Sequence, residues 1–320
     1  MTKNADVVTE LLDELMLAQN RARDVYRHLD GLQWAGQQRL VEKFLRYVQP
    51  EKVDFIANEA ARTIYQEKYL LSDVVRKLSK NDVLQLADAE IEYVHAIAAW
   101  IQINEILIDE EYYFHSDKRS PLIVDGGINF GLSLYYFKRL YPEARIIGFE
   151  PIPPLYEMAL RNCRRNGWEG VELHPFALDG TPGEAAMTWS ALDSMASSLL
   201  HRKRNVGKRY SYETYTAQVV TLSSYLEQEV DLLKLDIEGA EDAVLEESAE
   251  HLRNVKNIVL EYHHGFGLPN CRLGRIITLL EGNGFNLDVQ RSWSGRLKEV
   301  HRPLAETKRD YSLLIVGSRC

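Results

Sequence analysis

The chain has 320 residues, 45% hydrophobic and 27% charged, a balance that excludes a disordered or fibrous protein and leaves room for more than one structural unit. Its formal net charge of −9 argues against nucleic-acid binding, which draws on Lys and Arg to neutralise phosphates. Cys163, Cys271 and Cys320 show no CxxC spacing, which argues against a disulfide framework and a thiolate zinc site.

The opening "MTKNADVVTELLDELM" carries acids where a signal peptide is basic and then apolar. No apolar run reaches the roughly 18 residues of a membrane span, so the expected location is cytoplasmic. Leu11, Leu15, Ala18, Ala22, Val25 and Leu29 recur at spacings of four and three, which predicts one face of a helix. Ala57, Ala61, Ile64 and Tyr65 predict another, and Leu84, Ala87, Ile91, Val94, Ala98 and Ile101 a third. These elements make an all-α N-terminal domain over residues 1–116. Their short seams suit either antiparallel packing within one subunit or a homo-oligomer formed through the N-terminal helices.

Beyond a break near residues 116–119 the pattern changes, and residues 117–320 are expected to form a second domain. Short apolar runs, "PLIVD", "RIIGFE", "VELHPFAL", "DLLKLDI", "NIVLEYH", "FNLDVQ" and "YSLLIVG", alternate at first with amphipathic stretches. Strands without polar alternation are buried on both faces, so the fold class is α/β with a mainly parallel, helix-covered sheet. Only "RSWSGRLKEVHRPLAETKRD" separates the last two runs, which predicts an antiparallel pair joined by a long excursion.

The first of these strands runs into "LIVDGGINFG", where the ligand-binding turn of a doubly wound sheet belongs. Aligned as G-x-G-x-x-G on Gly126 and Gly131, the turn has Ile128 in the position a pyrophosphate needs open, and no Lys follows Gly131 as in a phosphate-binding loop. Asp125, the bend at Gly126 and Gly127, and the room at Gly131 suit a nucleoside without phosphates, such as S-adenosylmethionine. N–H groups at the loop and at the start of the following helix are expected to receive its carboxylate. Glu150 ends the second strand, where an acid accepts bonds from ribose hydroxyls, a feature NAD sites share.

The segments "VDGGINFGLSLYYFKRLYPEARIIGFEPIPPLYEMALRNCRRNG", "FALDGTPGEAAM", "SMASSLL", "VVTLSSYL" and "VDLLKLDIEGAEDAVLEES" together resemble the FkbM family of S-adenosylmethionine-dependent methyltransferases, with Ile128 where the family more often has Ala. The resemblance implies a Rossmann-like class I methyltransferase fold of seven strands, mostly parallel, with an antiparallel C-terminal strand. It implies that Asp125, Gly126, Gly127, Asn129 and Gly131 line the methionyl end of the cofactor and that Glu150 and Pro151 serve the ribose. Phe176 and Ala177 then fall near the adenine, and Ser197 and Ser198 near cofactor or acceptor.

"KLDIEGAE" places Lys234, Asp236 and Glu238 at alternate positions, so an extended backbone sends all three charges to one side. Charges at a strand end are costly unless paired, ligated or used. Methyl transfer to a hydroxyl needs alignment and either a base or a metal that acidifies the hydroxyl. Asp236 suits base, cofactor contact or metal ligand, with Glu238 assisting and Lys234 tuning the site; a salt-bridged structural cluster is the alternative. "VLEYHHGFG" adds Glu261, His263 and His264 at the acceptor site, where His263 is the other candidate base, and Asp236, Glu261 and His263 also offer oxygen and imidazole ligands for a divalent metal such as Mg. The basic run "HRKRNVGKRYSYETY" and the excursion through Trp293 and Arg296 are candidate acceptor-gripping and lid segments. The expected activity is O-methylation of a hydroxyl on a small molecule, natural product or glycan. A nicotinamide-dependent oxidoreductase and a non-catalytic cofactor-binding interaction protein are the alternatives.

Overall fold

The computed structural model describes residues 83–86, 88–94, 96–189, 198–199, 213–264, 273–291 and 311–319. The chain divides into two compact units, Met1–Ile108 and Asp109–Cys320. The expected helices at 11–29 and 57–65 lie outside the described residues.

In the first unit the described residues are not all helical, which corrects the expected all-α domain. Strands β1 (Val83–Gln85) and β2 (Glu90–Glu92) form an antiparallel hairpin with Leu84 opposite Ile91, and the Leu86 N–H donates to Ala89 O across the turn at 2.8 Å. Helix α1 (Ala96–Gln102) follows and continues as a π-helix over Ile103–Ile108. Leu84, Leu86, Ala89, Ile91 and Tyr93 are all buried, an alternation interrupted at Asp88. Leu84 and Ile91 stand seven apart, the spacing of a helix face, yet they belong to two separate strands that pair across the turn, so helical periodicity misreads a short hairpin.

In the second unit, seven strands form one sheet among the described residues. They are β3 (Leu122–Gly126), β4 (Arg145–Phe149), β5 (Val171–His174), β10 (Val230–Leu235), β11 (Val255–His264), β12 (Asn286–Arg291) and β13 (Tyr311–Ser318), in the order β5-β4-β3-β10-β11-β13-β12. β13 runs antiparallel to both neighbours, as the closing pair of apolar runs predicts, and the pairs from β5 through β11 are parallel. Every residue of β3 and β10 is buried, as a strand covered on both faces requires. Leu122 and Val124 of β3 and Leu233 and Leu235 of β10 share one core with Val244 and Leu245 of α4 (Glu241–Glu247) and Ile276 and Leu280 of α5 (Leu273–Gly282). Helices α2 (Leu132–Leu140) and α3 (Pro153–Asn166) connect β3 to β4 and β4 to β5.

A second sheet, absent from the expectations, is inserted between β5 and β10. It pairs β6 (Phe176–Leu178), β9 (Glu213–Val220), β7 (Gly183–Trp189) and β8 (Ser198–Leu199) in that order. The run "VELHPFAL" is therefore two strands in two sheets, because Pro175 cannot donate to a ladder and ends the first. Among the described residues no helix is long and apolar enough to cross a membrane.

Candidate active site

Because β3, β4, β10 and β11 are parallel, their carboxyl ends share one edge, and the groups expected to do chemistry fall there. The loop after β3 is shaped by three left-handed residues, Gly127 at φ 84°, Asn129 at φ 52° and Gly131 at φ 93°. Gly127 has no alternative: a Cβ there would stand 1.9 Å from the Asp236 carbonyl oxygen, so this loop and the end of β10 touch backbone to backbone. Ile128 is turned into the core, where Gly148 leaves room for it, so its side chain is a packing group and no plug over the loop.

The amides from Gly127 to Gly131 are engaged within the protein, which narrows the expected carboxylate donors to the N–H groups at the start of α2. Gly127 and Ile128 donate to Phe149 O at 3.0 and 3.1 Å, Asn129 to Glu150 Oε2 at 3.0 Å, Phe130 to Asn129 Oδ1 at 2.9 Å, and Gly131 to Ile128 O at 2.9 Å.

Lys234 explains the loop's rigidity. Its ammonium is buried, pairs with the fully buried Asp125 at 3.0 Å, and donates to Gly126 O at 3.1 Å and Gly127 O at 2.6 Å. It also lies 5.1 Å from the centre of the Tyr112 ring. Burial works to lower the Lys234 pKa, but Asp125 and Asp236 outweigh it and hold the group above its ordinary value. Ser133 donates to the other Asp125 oxygen at 2.7 Å. Lys234 and Asp125 thus form a buried strut between β3 and β10. The alternate spacing of Lys234, Asp236 and Glu238 does not bring the three to one point: β10 ends at Leu235 and Glu238 is left-handed at φ 57°.

Glu150 is buried after β4, each carboxylate oxygen taking one N–H, from Asn129 at 3.0 Å and Ile152 at 2.9 Å. Burial pushes its pKa up to about 7 against the pull of those two N–H groups and Lys234. A lone pair remains on each oxygen, so two adjacent hydroxyl donors fit this carboxylate and would supply what burial removes. Pro151 follows and leads into α3. At the ends of β4 and β5, Phe149, His174 and Phe176 stack in a column, with ring centres 5.3 and 5.5 Å apart and planes within 24° and 15°, and Tyr225 meets Phe149 edge-on at 4.7 Å. Ala177 is buried next to Phe176. A ribose acceptor flanked by flat aromatic surface on the β5 side suits a nucleoside, so the residues present fit S-adenosylmethionine. Ser197, Trp293, Arg296 and the basic run through residue 212 lie outside the described residues, and Ser198 is described only as the start of β8.

The polar groups beyond β10 and β11 do converge. Leu235 is in register with Leu260, which sets Asp236 and Glu261 at one level, and donor atoms of Asp236, Glu261 and His263 lie within 4.8 Å of one another. Glu238 Oε2 stands 3.6 Å from His263 Nε2. His264 points elsewhere, its Nδ1 3.4 Å from the Tyr262 hydroxyl, as strand alternation requires. Two carboxylates and an imidazole are a donor set that fits a divalent ion. Sequence reasoning missed two neighbours. Tyr112 donates to Asp236 Oδ2 at 3.3 Å from a stretch without periodicity ahead of β3. Glu241 faces His263 Nδ1 at 3.0 Å, and its signal was its place as the last residue of "KLDIEGAE". Burial works against charge on both partners, yet Glu238 and Glu241 hold His263 well above its ordinary pKa, and His263 holds Glu241 below its own.

Residues 125–287 match the model of the methyltransferase FkbM domain, a span that begins at Asp125 and includes every group of this site except Tyr112. The chain belongs to the FkbM methyltransferase family. It is 30% identical over 228 residues to methyltransferase sdnD of Sordaria araneosa, covering 62% of this chain and 86% of the relative. It is likewise 30% identical over 223 residues to methyltransferase 1 of Beauveria bassiana (strain ARSEF 2860), covering 64% and 85%. The 2-O-methyltransferase NoeI of Sinorhizobium fredii (strain NBRC 101917 / NGR234) is 28% identical over 166 residues, covering 46% of this chain and 65% of the relative. The protein is an S-adenosylmethionine-dependent methyltransferase, which removes the nicotinamide and non-catalytic alternatives.

Proposed function

We propose that this FkbM methyltransferase methylates a hydroxyl oxygen of a small molecule, natural product or glycan. The observation that carries the reading is the convergence of Asp236, Glu261 and His263 within 4.8 Å at the sheet edge that also carries the glycine loop. A hydroxyl must lose its proton to become a nucleophile, and this cluster is built to accept one or to hold an ion that acidifies it. The similarity to a relative named as a 2-O-methyltransferase supports the same chemistry.

In this reading Asp125, Gly126, Gly127, Asn129 and Gly131 shape the methionyl site, Glu150 and Pro151 hold the ribose, and Phe176 and Ala177 flank the adenine. When bound, S-adenosylmethionine would supply an electrophilic methyl carbon to the acceptor oxygen, the sulfur keeping the electron pair of the carbon–sulfur bond. Asp236 orients the acceptor hydroxyl and takes its proton, held in place by the Tyr112 hydroxyl at 3.3 Å. Lys234 keeps the loop and Asp236 in fixed relation through its bonds to Gly126 and Gly127. A divalent cation such as Mg on Asp236, Glu261 and His263, with Glu238 beside them, would acidify the hydroxyl in place of a free base.

The test is transfer from 13C-methyl-labelled cofactor into extracts or a glycan and natural-product panel, with the product assigned by NMR. A methyl carbon at an ether shift is the expected result. Labelling of nitrogen, carbon or sulfur would overturn the hydroxyl assignment.

A further inference from the structure

The divalent-ion reading leaves open what makes His263 a usable ligand. An imidazole that ligates an ion almost always has its other nitrogen held by a second group, commonly a carboxylate behind the ligand, which fixes the ring's orientation. Glu241 has that placement. It is the first residue of α4 and only 2% exposed, and His263 on β11 is 5% exposed. Glu241 Oε1 lies 3.0 Å from His263 Nδ1 and also accepts the Gly239 N–H at 2.8 Å. The same oxygen therefore ties the ring to the left-handed turn, Glu238 at φ 57° and Gly239 at φ 102°, that brings Glu238 Oε2 to 3.6 Å from Nε2. With Nδ1 facing Glu241, an ion shared with Asp236 and Glu261 would take Nε2, the nitrogen that faces Glu238.

We propose that Glu241 is a positioning residue of a divalent-cation site formed by Asp236, Glu261 and His263, fixing the His263 ring and tautomer so that Nε2 faces the ion. The proposal rests on the metal part of the functional reading and is independent of which molecule is methylated. A carboxylate behind an imidazole raises its basicity as well as fixing its orientation, so loss of the negative charge at position 241 weakens the ion without removing any ligand.

The experiment titrates Mn2+ into the full-length protein in the presence of S-adenosylhomocysteine, reading free Mn2+ by electron paramagnetic resonance, with Mg2+ as competitor. S-adenosylhomocysteine affinity, read separately by calorimetry without added metal, reports that each variant is folded. The wild type should bind one Mn2+ per chain, displaced by Mg2+. Glu241→Gln, which keeps an acceptor for Gly239 and His263, should weaken Mn2+ by about 10–100-fold at unchanged S-adenosylhomocysteine affinity. Glu261→Gln, which removes a ligand outright, should weaken it at least as much. Wild-type Mn2+ affinity in Glu241→Gln would overturn the positioning role, and parallel loss of Mn2+ and S-adenosylhomocysteine would show a merely structural one. A wild type that binds no Mn2+ would overturn the ion site itself. The labelled-methyl experiment judges the hydroxyl reading separately, so the two can fail independently.

Discussion

Replacing Glu150 with glutamine separates the cost of a buried charge from the shape of the site. In the cofactor-free protein the Glu150 carboxyl has a pKa of about 7 against an ordinary 4.5, chiefly because it is buried. A carboxyl whose folded value exceeds its unfolded value binds more protons when folded, so wild-type stability falls as pH rises from about 4.5 to about 7 and then levels. At 1.36 kcal/mol per unit, the change between pH 5 and pH 8 comes to ~2.5 kcal/mol. Glutamine does not titrate, but its amide nitrogen must face one of the two N–H donors, from Asn129 or Ile152, at a cost of about 1–3 kcal/mol at every pH. Urea unfolding of both proteins at pH 5 and pH 8 cancels that constant term. The stability difference should move by ~2.5 kcal/mol in favour of Glu150→Gln on going to pH 8. An equal difference at both pH values would refute the reasoning that burial dominates at Glu150. By the same argument, wild-type affinity for S-adenosylhomocysteine should rise through about pH 7 and then flatten, as the carboxylate able to accept both ribose hydroxyls forms. In Glu150→Gln that pH dependence should disappear.

Asp236→Asn should retain S-adenosylhomocysteine binding and lower methyl transfer by about a hundredfold or more, the scale for losing a base or ligand, measured by calorimetry and labelled transfer. Joint loss of binding and turnover would remove Asp236 from the chemistry. Lys234→Met leaves the fully buried Asp125 without its cation and should cost about 3–5 kcal/mol in urea unfolding; less than ~1 kcal/mol would show the strut to be dispensable. Gly127→Ala places a methyl 1.9 Å from the Asp236 carbonyl and should weaken S-adenosylhomocysteine by at least about tenfold at a stability cost of ~1–3 kcal/mol. Unchanged affinity would show that the loop moves away without consequence for the site.

Much of the second unit is legible in the sequence, because a strand buried on both faces must be apolar at nearly every position and "PLIVD", "DLLKL" and "NIVLEY" record that directly. The glycine loop and Glu150 are legible for a similar reason: each sits at the end of a strand and answers a local demand, a left-handed backbone or an acid beside the loop. The hairpin at 83–92 reads as helix because Leu84 and Ile91 stand seven apart, the spacing of a helix face, and only their pairing across the turn shows that they lie on two strands. Its partner across the turn is a tertiary choice. The second sheet is not legible because Pro175 divides a run that reads as one strand, and β6 pairs with β9 residues 42 positions further along the chain.

What only the tertiary structure decided is the partner of each charge. Lys234, Asp236 and Glu238 alternate in sequence, yet Lys234 turns to Asp125, Asp236 to Tyr112 and Glu261, and Glu238 to His263. Tyr112 and Asp236 are 124 residues apart, and Glu241 and His263 are 22 apart. Side-chain periodicity reports burial, which depends on one element's own faces. The energy of a buried charge depends on ångström distances to groups brought from other strands, and no spacing within a single segment encodes those.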